Sequence, residues 1–107
     1  EEGRDLEKAE QMSRRTIYTE PENATYLDTY AWVLYKLNRY NEALAYIERA
    51  IKVEQAPSDV LYEHAGDICN SLGDTAQARE YWRQALGIQG ESGVVDKNLE
   101  KKIKGTK

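Results

Sequence analysis

Cys69 and His64 are the only cysteine and the only histidine in the chain, and they are the side chains best suited to catalysis. A Cys69 thiolate would be a nucleophile, provided that a neighbouring base or cation lowered its pKa. His64 follows Glu63 and stands three residues before Asp67. On a helix an i, i+3 pair shares one face, so His64 and Asp67 could grip a metal or relay a proton. Both chemistries lack the rest of their machinery. A metal site converges three or four ligands, and Glu63 could join only with poor geometry. No phosphate-binding loop or dinucleotide fingerprint is present, and one cysteine excludes an internal disulfide or a multi-cysteine metal site. Cys69 falls in an apolar slot, where a free cysteine behaves as a small hydrophobe. The expectation is a non-enzyme with no catalytic residue, cofactor or metal, with Cys69 buried and His64 hydrogen-bonded at the surface.

Binding chemistry is better represented. The stretch YAWVLYKL, residues 30–37, places Trp32 and Tyr35 three apart, with Asp28 one turn before Trp32. Aromatic anchors beside charges are what interaction surfaces use. Read alone, the stretch is apolar enough for a buried strand. The elements that would carry it decide the matter.

The chain has 107 residues, enough for one modest domain. Its balance of 40% hydrophobic and 32% charged residues is that of a globular protein, and no apolar run is long enough to span a membrane. The first residues, Glu1-Glu2-Gly3-Arg4, do not form a signal peptide. The net charge of −4 argues against nucleic acid as partner. That charge is uneven: from Asp96 onward five lysines face Asp96 and Glu100, net +3, against −7 over the remainder.

A repeat organises the chain. NRYNEALAYIERAI, residues 38–51, and GDTAQAREYWRQAL, residues 73–86, align at an offset of 35. Ala43 matches Ala78, Ile47 matches Trp82, Ala50 matches Ala85 and Ile51 matches Leu86. Upstream the offset pairs Leu27 with Tyr62, Tyr30 with Ala65, Ala31 with Gly66, Leu34 with Cys69 and Leu37 with Leu72. Each unit shows apolar residues at helical spacing, a break, and a second such run. Asn38 and Gly73 share the slot at the break, where a left-handed residue closes a helix. Asp74, three before Gln77, opens the next helix of its unit. Thr25 with Asp28, and Ser58 or Asp59, are the expected caps of the two first helices. Pro21 and Pro57 each end a second helix. YAWVLYKL is therefore expected to be helical.

The paired pattern resembles the tetratricopeptide repeat. Unit one reads Leu27-x2-Tyr30-Ala31-x2-Leu34, then Ala43-x3-Ile47-x2-Ala50. Unit two reads Tyr62-x2-Ala65-Gly66-x2-Cys69, then Ala78-x3-Trp82-x2-Ala85. Residues 6–23 fit the second helix of an earlier unit, with Ala9 in the Ala43 slot and Pro21 at the closing position. Unit one departs from the family by carrying Gln55 where the closing proline stands, with Pro57 two residues later. The resemblance implies an all-α helical-hairpin solenoid, a right-handed superhelical stack of about six helices forming one domain over residues 1–107. Its expected parts are a leftover second helix over 4–23, repeats over 24–57 and 58–91, and a capping helix over 92–104. In that capping helix Ser92 is the N-cap, and Val95, Leu99 and Ile103 form one apolar stripe opposite a lysine-rich face. The chain opens in mid-repeat, which implies the C-terminal fragment of a longer repeat protein. The wording around ATYLDTYAWVLYKL is similar to late repeats of bacterial proteins, some from the cell envelope. A cytoplasmic and an envelope parent both fit.

The resemblance also implies a concave groove lined by the first helix of each repeat. The groove-side residues are then Asp28, Thr29, Trp32 and Tyr35 in unit one, and Glu63, His64, Asp67 and Asn70 in unit two. The family's carboxylate clamp grips acidic chaperone tails with Lys, Asn and Arg. Its slots here hold Asp28, Trp32, His64 and Asp67, so that role is not expected. An acidic, aromatic groove suits a basic or apolar peptide or protein segment, bound by a non-catalytic scaffold. The alternative is a structural end-piece of a repeat array that self-associates through its N-terminal face.

Overall fold

The computed structural model describes residues 2–54, 58–93 and 96–105, with the backbone alone for residues 2–4 and Ser92. Regular structure among the described residues is helical: α1 (Glu2–Thr19), α2 (Ala24–Lys36), α3 (Tyr40–Val53), α4 (Asp59–Ser71), α5 (Thr75–Ser92) and α6 (Lys97–Gly105). The helices group into two units, residues 1–55 and residues 56–107. YAWVLYKL belongs to a helix, as the repeat requires.

In the first unit α2 and α3 pair through one buried face each. Leu27, Tyr30, Ala31 and Leu34 of α2 and Ala43, Ile47 and Ala50 of α3 are buried. The small residues let two backbones approach closely enough for the large ones to fill the remaining space. The turn between them closes by a Schellman motif. Asn38 sits at φ 64°, its N–H donates to Tyr35 O at 3.0 Å, and Arg39 N–H donates to Leu34 O at 2.9 Å. The N-cap of α2 is Asn23, whose Oδ1 accepts Tyr26 N–H at 3.1 Å, rather than Thr25, which lies inside the first turn. Asn23 is extended, at φ −86° and ψ 106°, so its short side chain reaches back over the helix start.

Helix α1 adds to this unit a charged contact buried with its apolar ones. Glu10 is only 6% exposed, and Ile17 is buried on the same helix. Tyr30 donates its hydroxyl to Glu10 Oε2 at 2.7 Å, and Arg14 donates to both Glu10 oxygens at 3.0 and 2.6 Å. The Arg14 fork holds the Glu10 carboxyl below its usual range, against the opposing pull of burial and with help from the Tyr30 hydroxyl. Burial first, then Glu10 as acceptor and charge, pushes the Tyr30 phenol up to about 12. A buried carboxylate is tolerated here because each of its oxygens is bonded.

The second unit repeats the hairpin. Leu61, Ala65, Gly66, Ile68 and Cys69 of α4 are buried with Ala78, Trp82 and Ala85 of α5. Gly73, at φ 86°, closes the turn as Asn38 does, with Asp74 N–H donating to Cys69 O at 3.0 Å. Ser58 caps α4 and Asp74 caps α5, as the sequence suggests. Glycine at 66 is demanded by its neighbour. A Cβ there would lie 2.9 Å from Trp82 Cε2 and closer still to Nε1 and Cδ1.

The C-terminal elements are divided differently from the sequence expectation. Helix α5 runs through Gly87 and Gly90 to Ser92 and stops at Gly93, at φ 87°. Ser92 therefore ends α5 and does not cap α6. An interior glycine weakens a helix by only about 1 kcal/mol, so neither glycine alone breaks a packed one. Asp96 takes the capping role, its Oδ1 accepting Asn98 N–H at 2.8 Å. Leu99 is fully buried and Ile103 half-buried, while Val95, Gln55 and Pro57 lie outside the described residues.

Candidate interaction faces

In the first unit, Asp28, Thr29, Trp32 and Tyr35 lie on α2 beside the buried stripe. Trp32, Tyr35 and Asp28 are half-buried and Thr29 is exposed. The rings of Trp32 and Tyr35 stack with centroids 4.9 Å apart and planes 24° apart. Tyr40, at the start of α3, extends the set, 5.5 Å from Tyr35. Lys36 places its ammonium 5.2 Å from the Trp32 ring centroid, a cation–π contact. The result is a ladder of three rings with a cation on one end. Thr29 turns inward on its own helix, its hydroxyl donating to Thr25 O at 2.9 Å.

In the second unit, Glu63, His64 and Asp67 are half-buried on α4, and Asn70 is exposed. Here the acidity is already engaged. Lys102 of α6 donates to Glu63 Oε2 at 2.8 Å and to Asp67 Oδ1 and Oδ2 at 2.9 and 3.3 Å. Trp82 donates its indole N–H to Asp67 Oδ1 at 3.2 Å. Burial pulls the Lys102 pKa down, but hydrogen bonds to Glu63 and Asp67 and their charge outweigh it, so the ammonium titrates above its ordinary value. Gln89 of α5 ties the same region together, donating to Asp59 Oδ2 at 2.8 Å and accepting Asp96 N–H at 2.7 Å.

The structure thus sets Trp32 beside Tyr35, and Glu63 beside Asp67, within their own units. It adds Tyr40, Trp82 and Lys102, which the sequence alone does not place on these faces, and it sets Lys36, a groove-side residue by period, over the Trp32 ring. Lys102 carries a detectable signal: it lies three residues after Leu99, which puts it on the flank of the apolar stripe. Cys69 is 1% exposed, a core residue in the slot that Leu34 fills in the first unit. Among the described residues no group of three His, Cys, Asp or Glu side chains converges for a metal. Nor is any described helix long and apolar enough to cross a membrane.

These hairpins, with small residues at the close approaches and a polar or aromatic flank on each first helix, define an all-α helical-hairpin repeat protein. Two stretches, residues 24–56 and residues 60–92, each match a family model described as Tetratricopeptide repeat. Together they span more than half of the chain, which belongs to the tetratricopeptide-repeat family. Repeats of this family generally mediate protein–protein interaction and generally form non-catalytic scaffolds. Among solved structures the chain is similar to the N-terminal domain of stress-induced protein-1 from C. elegans. The two are 24% identical with a TM-score of 0.76, over 97% of this chain and 83% of that one. That likeness shows the fold, a helical-hairpin solenoid. A search of curated proteins finds no match.

Proposed function

We propose that this chain is a non-catalytic interaction module that binds a basic or apolar peptide or protein segment on the first-helix faces of its repeats. The residues concerned are Asp28, Thr29, Trp32 and Tyr35 on α2, and Glu63, His64, Asp67 and Asn70 on α4. The observation that carries the reading is the stacked Trp32–Tyr35 pair, half-buried beside Asp28. Stacked rings are rigid, so a partner gains apolar contact at little ordering cost. Asp28 supplies the charge that favours a basic side chain on the partner. The family supports the class of function, and the side chains support the ligand's chemistry.

A peptide array grouped by charge and hydropathy tests it. The wild-type chain is expected to select basic and apolar sequences, and Trp32→Ala to lose that selection. Equal selection by both chains, or a preference for acidic peptides, would contradict the reading. Asp28→Lys is the charge test of choice, because reversing Glu63 or Asp67 would also break their bonds to Lys102.

A second reading, self-association, is favoured by the exposure of α1. Met12 is 69% and Tyr18 89% exposed on that helix. Such side chains in isolation are ordinary, and light scattering across a dilution series decides the matter. A mass that rises with concentration and falls to the monomer in a Tyr18→Ser, Met12→Ser chain supports self-association, and a constant monomer mass removes it.

A further inference from the structure

Helix α6 carries one lysine unlike its neighbours. Lys97, Lys101 and Lys104 are exposed, whereas Lys102 is half-buried. Its ammonium meets the carboxylates of Glu63 and Asp67 at 2.8 and 2.9 Å and stands 5.9 Å from the centroid of the Trp82 ring. The indole N–H in turn fixes Asp67. Two carboxylates for one ammonium leave this socket with a negative charge in excess even when it is filled. Leu99, one turn before Lys102, is fully buried. The α4–α5 face therefore accepts two features three residues apart on one helix, an apolar side chain and a lysine.

We propose that α6 is the resident occupant of a receptor, and that the α4–α5 face binds a partner helix bearing Leu-x-x-Lys when that helix displaces α6. The inference rests on the reading above that first-helix faces bind segments, and it gives the α4 face its ligand chemistry. Its length makes α6 displaceable: it has nine residues, at which an isolated helix is marginal. Being tethered, α6 competes at high effective concentration, so the receptor is closed by default and opens to a helix that brings contacts beyond those of α6. The excess negative charge attracts a basic helix and rejects an acidic one. A partner with glutamate at the lysine position would face two carboxylates, and one with methionine would leave both without a cation.

The test uses the full chain and a fluorescently labelled peptide of residues 96–105, DKNLEKKIKG, followed by anisotropy. In Lys102→Glu the chain's own α6 is repelled while the receptor side chains remain. The peptide is expected to bind this variant at least about tenfold tighter than wild type, the gain from removing a competing occupant. A second peptide with glutamine at the Lys102 position is expected to bind the variant at least about tenfold weaker than the first. Should circular dichroism show that Lys102→Glu has lost more helix than the nine residues of α6, Lys102→Met, which keeps most of the side-chain stem, takes its place under the same criteria. A smaller difference in either comparison, or no binding to the variant, overturns the proposal. A failure here with Trp32-dependent peptide selection intact overturns the role of α6 alone, and the reverse outcome overturns the α2 face alone.

Discussion

Ala31 and Ile47 in the first hairpin stand at the positions that Gly66 and Trp82 hold in the second. One pair is medium with medium, the other smallest with largest. All four are buried, and both hairpins close with the same turn. Relative to Ala31 and Ile47, volume is thus traded between Gly66 and the Trp82 ring that lies against it, since a core tolerates exchange of residues better than a change in total volume. The trade has a consequence on the outer flank. Trp82 offers its N–H to Asp67, and that carboxylate with Glu63 seats Lys102. The equivalent position to Asp67 in the first hairpin is Trp32, which stacks on Tyr35 instead. One repeat frame therefore carries an aromatic face in one unit and a charged, occupied face in the other.

Trp82 carries the largest expected effect. Trp82→Ala is expected to cost about 3–5 kcal/mol in urea unfolding, because a large buried ring leaves a void over Gly66. A cost near zero would mean that the indole does not set the second hairpin's spacing. Gly66→Ala comes next, at about 1–3 kcal/mol, since the new methyl group overlaps the indole. Adding Trp82→Ile to Gly66→Ala transplants the first hairpin's pair. It is expected to recover most of that loss, and a double variant no more stable than Gly66→Ala would refute the volume trade.

The turns come third. Gly73→Ala forces a Cβ into the left-handed region and is expected to cost about 1–2 kcal/mol. Asn38→Gly, at the same slot, should change stability by no more than a few tenths of a kcal/mol, as Asn already tolerates that conformation. Equal losses at both turns would contradict a shared closing motif.

The smallest effects are the acid and alkaline limbs of stability against pH. Glu10 has a depressed pKa in the folded chain, so its contribution is present above the unfolded value of about 4.3 and is lost as pH falls through the folded one. Lys102 has a raised pKa, so its contribution is full below about 10.4 and is lost as pH rises through the folded value. Glu10→Gln should flatten the acid limb of stability against pH and, by taking the carboxylate from Tyr30, weaken that phenol's part of the alkaline limb, whereas Lys102→Met should flatten the Lys102 part of the alkaline limb. The Tyr30 phenol, pushed up to about 12, adds to the alkaline limb in the first unit with the same sign as Lys102. An acid limb unchanged by Glu10→Gln would remove the buried carboxylate from the account.

What the sequence discloses is what a single element or a fixed offset can carry. The 35-residue echo locates both hairpins, their buried stripes, the left-handed residues Asn38 and Gly73, and Cys69 as a core residue. It puts Trp32 and Tyr35 on one flank, where the structure stacks them. The start of α6 is misplaced because Ser92 is a competent cap by type, whereas α5 runs through it to Gly93 and Asp96 caps α6 instead. Thr25 and Asn23 are both competent caps by type, and only the backbone angle at Asn23 decides between them. Least legible is the seat of Lys102, which lies 39 and 35 residues from Glu63 and Asp67. Periodicity tells which face a residue occupies on its own helix and is silent on which charge it meets across another.

Partner binding by the α2 face is open to direct measurement. The best basic peptide from the array, titrated by calorimetry into wild type, Trp32→Ala and Asp28→Lys chains of matched helical content, tests it directly. A true aromatic anchor loses at least about 2 kcal/mol on truncation, roughly thirtyfold in affinity. The expected order is wild type tightest, Asp28→Lys weaker, and Trp32→Ala weakest. Affinities for all three chains within about twofold, less than 0.5 kcal/mol, would contradict it.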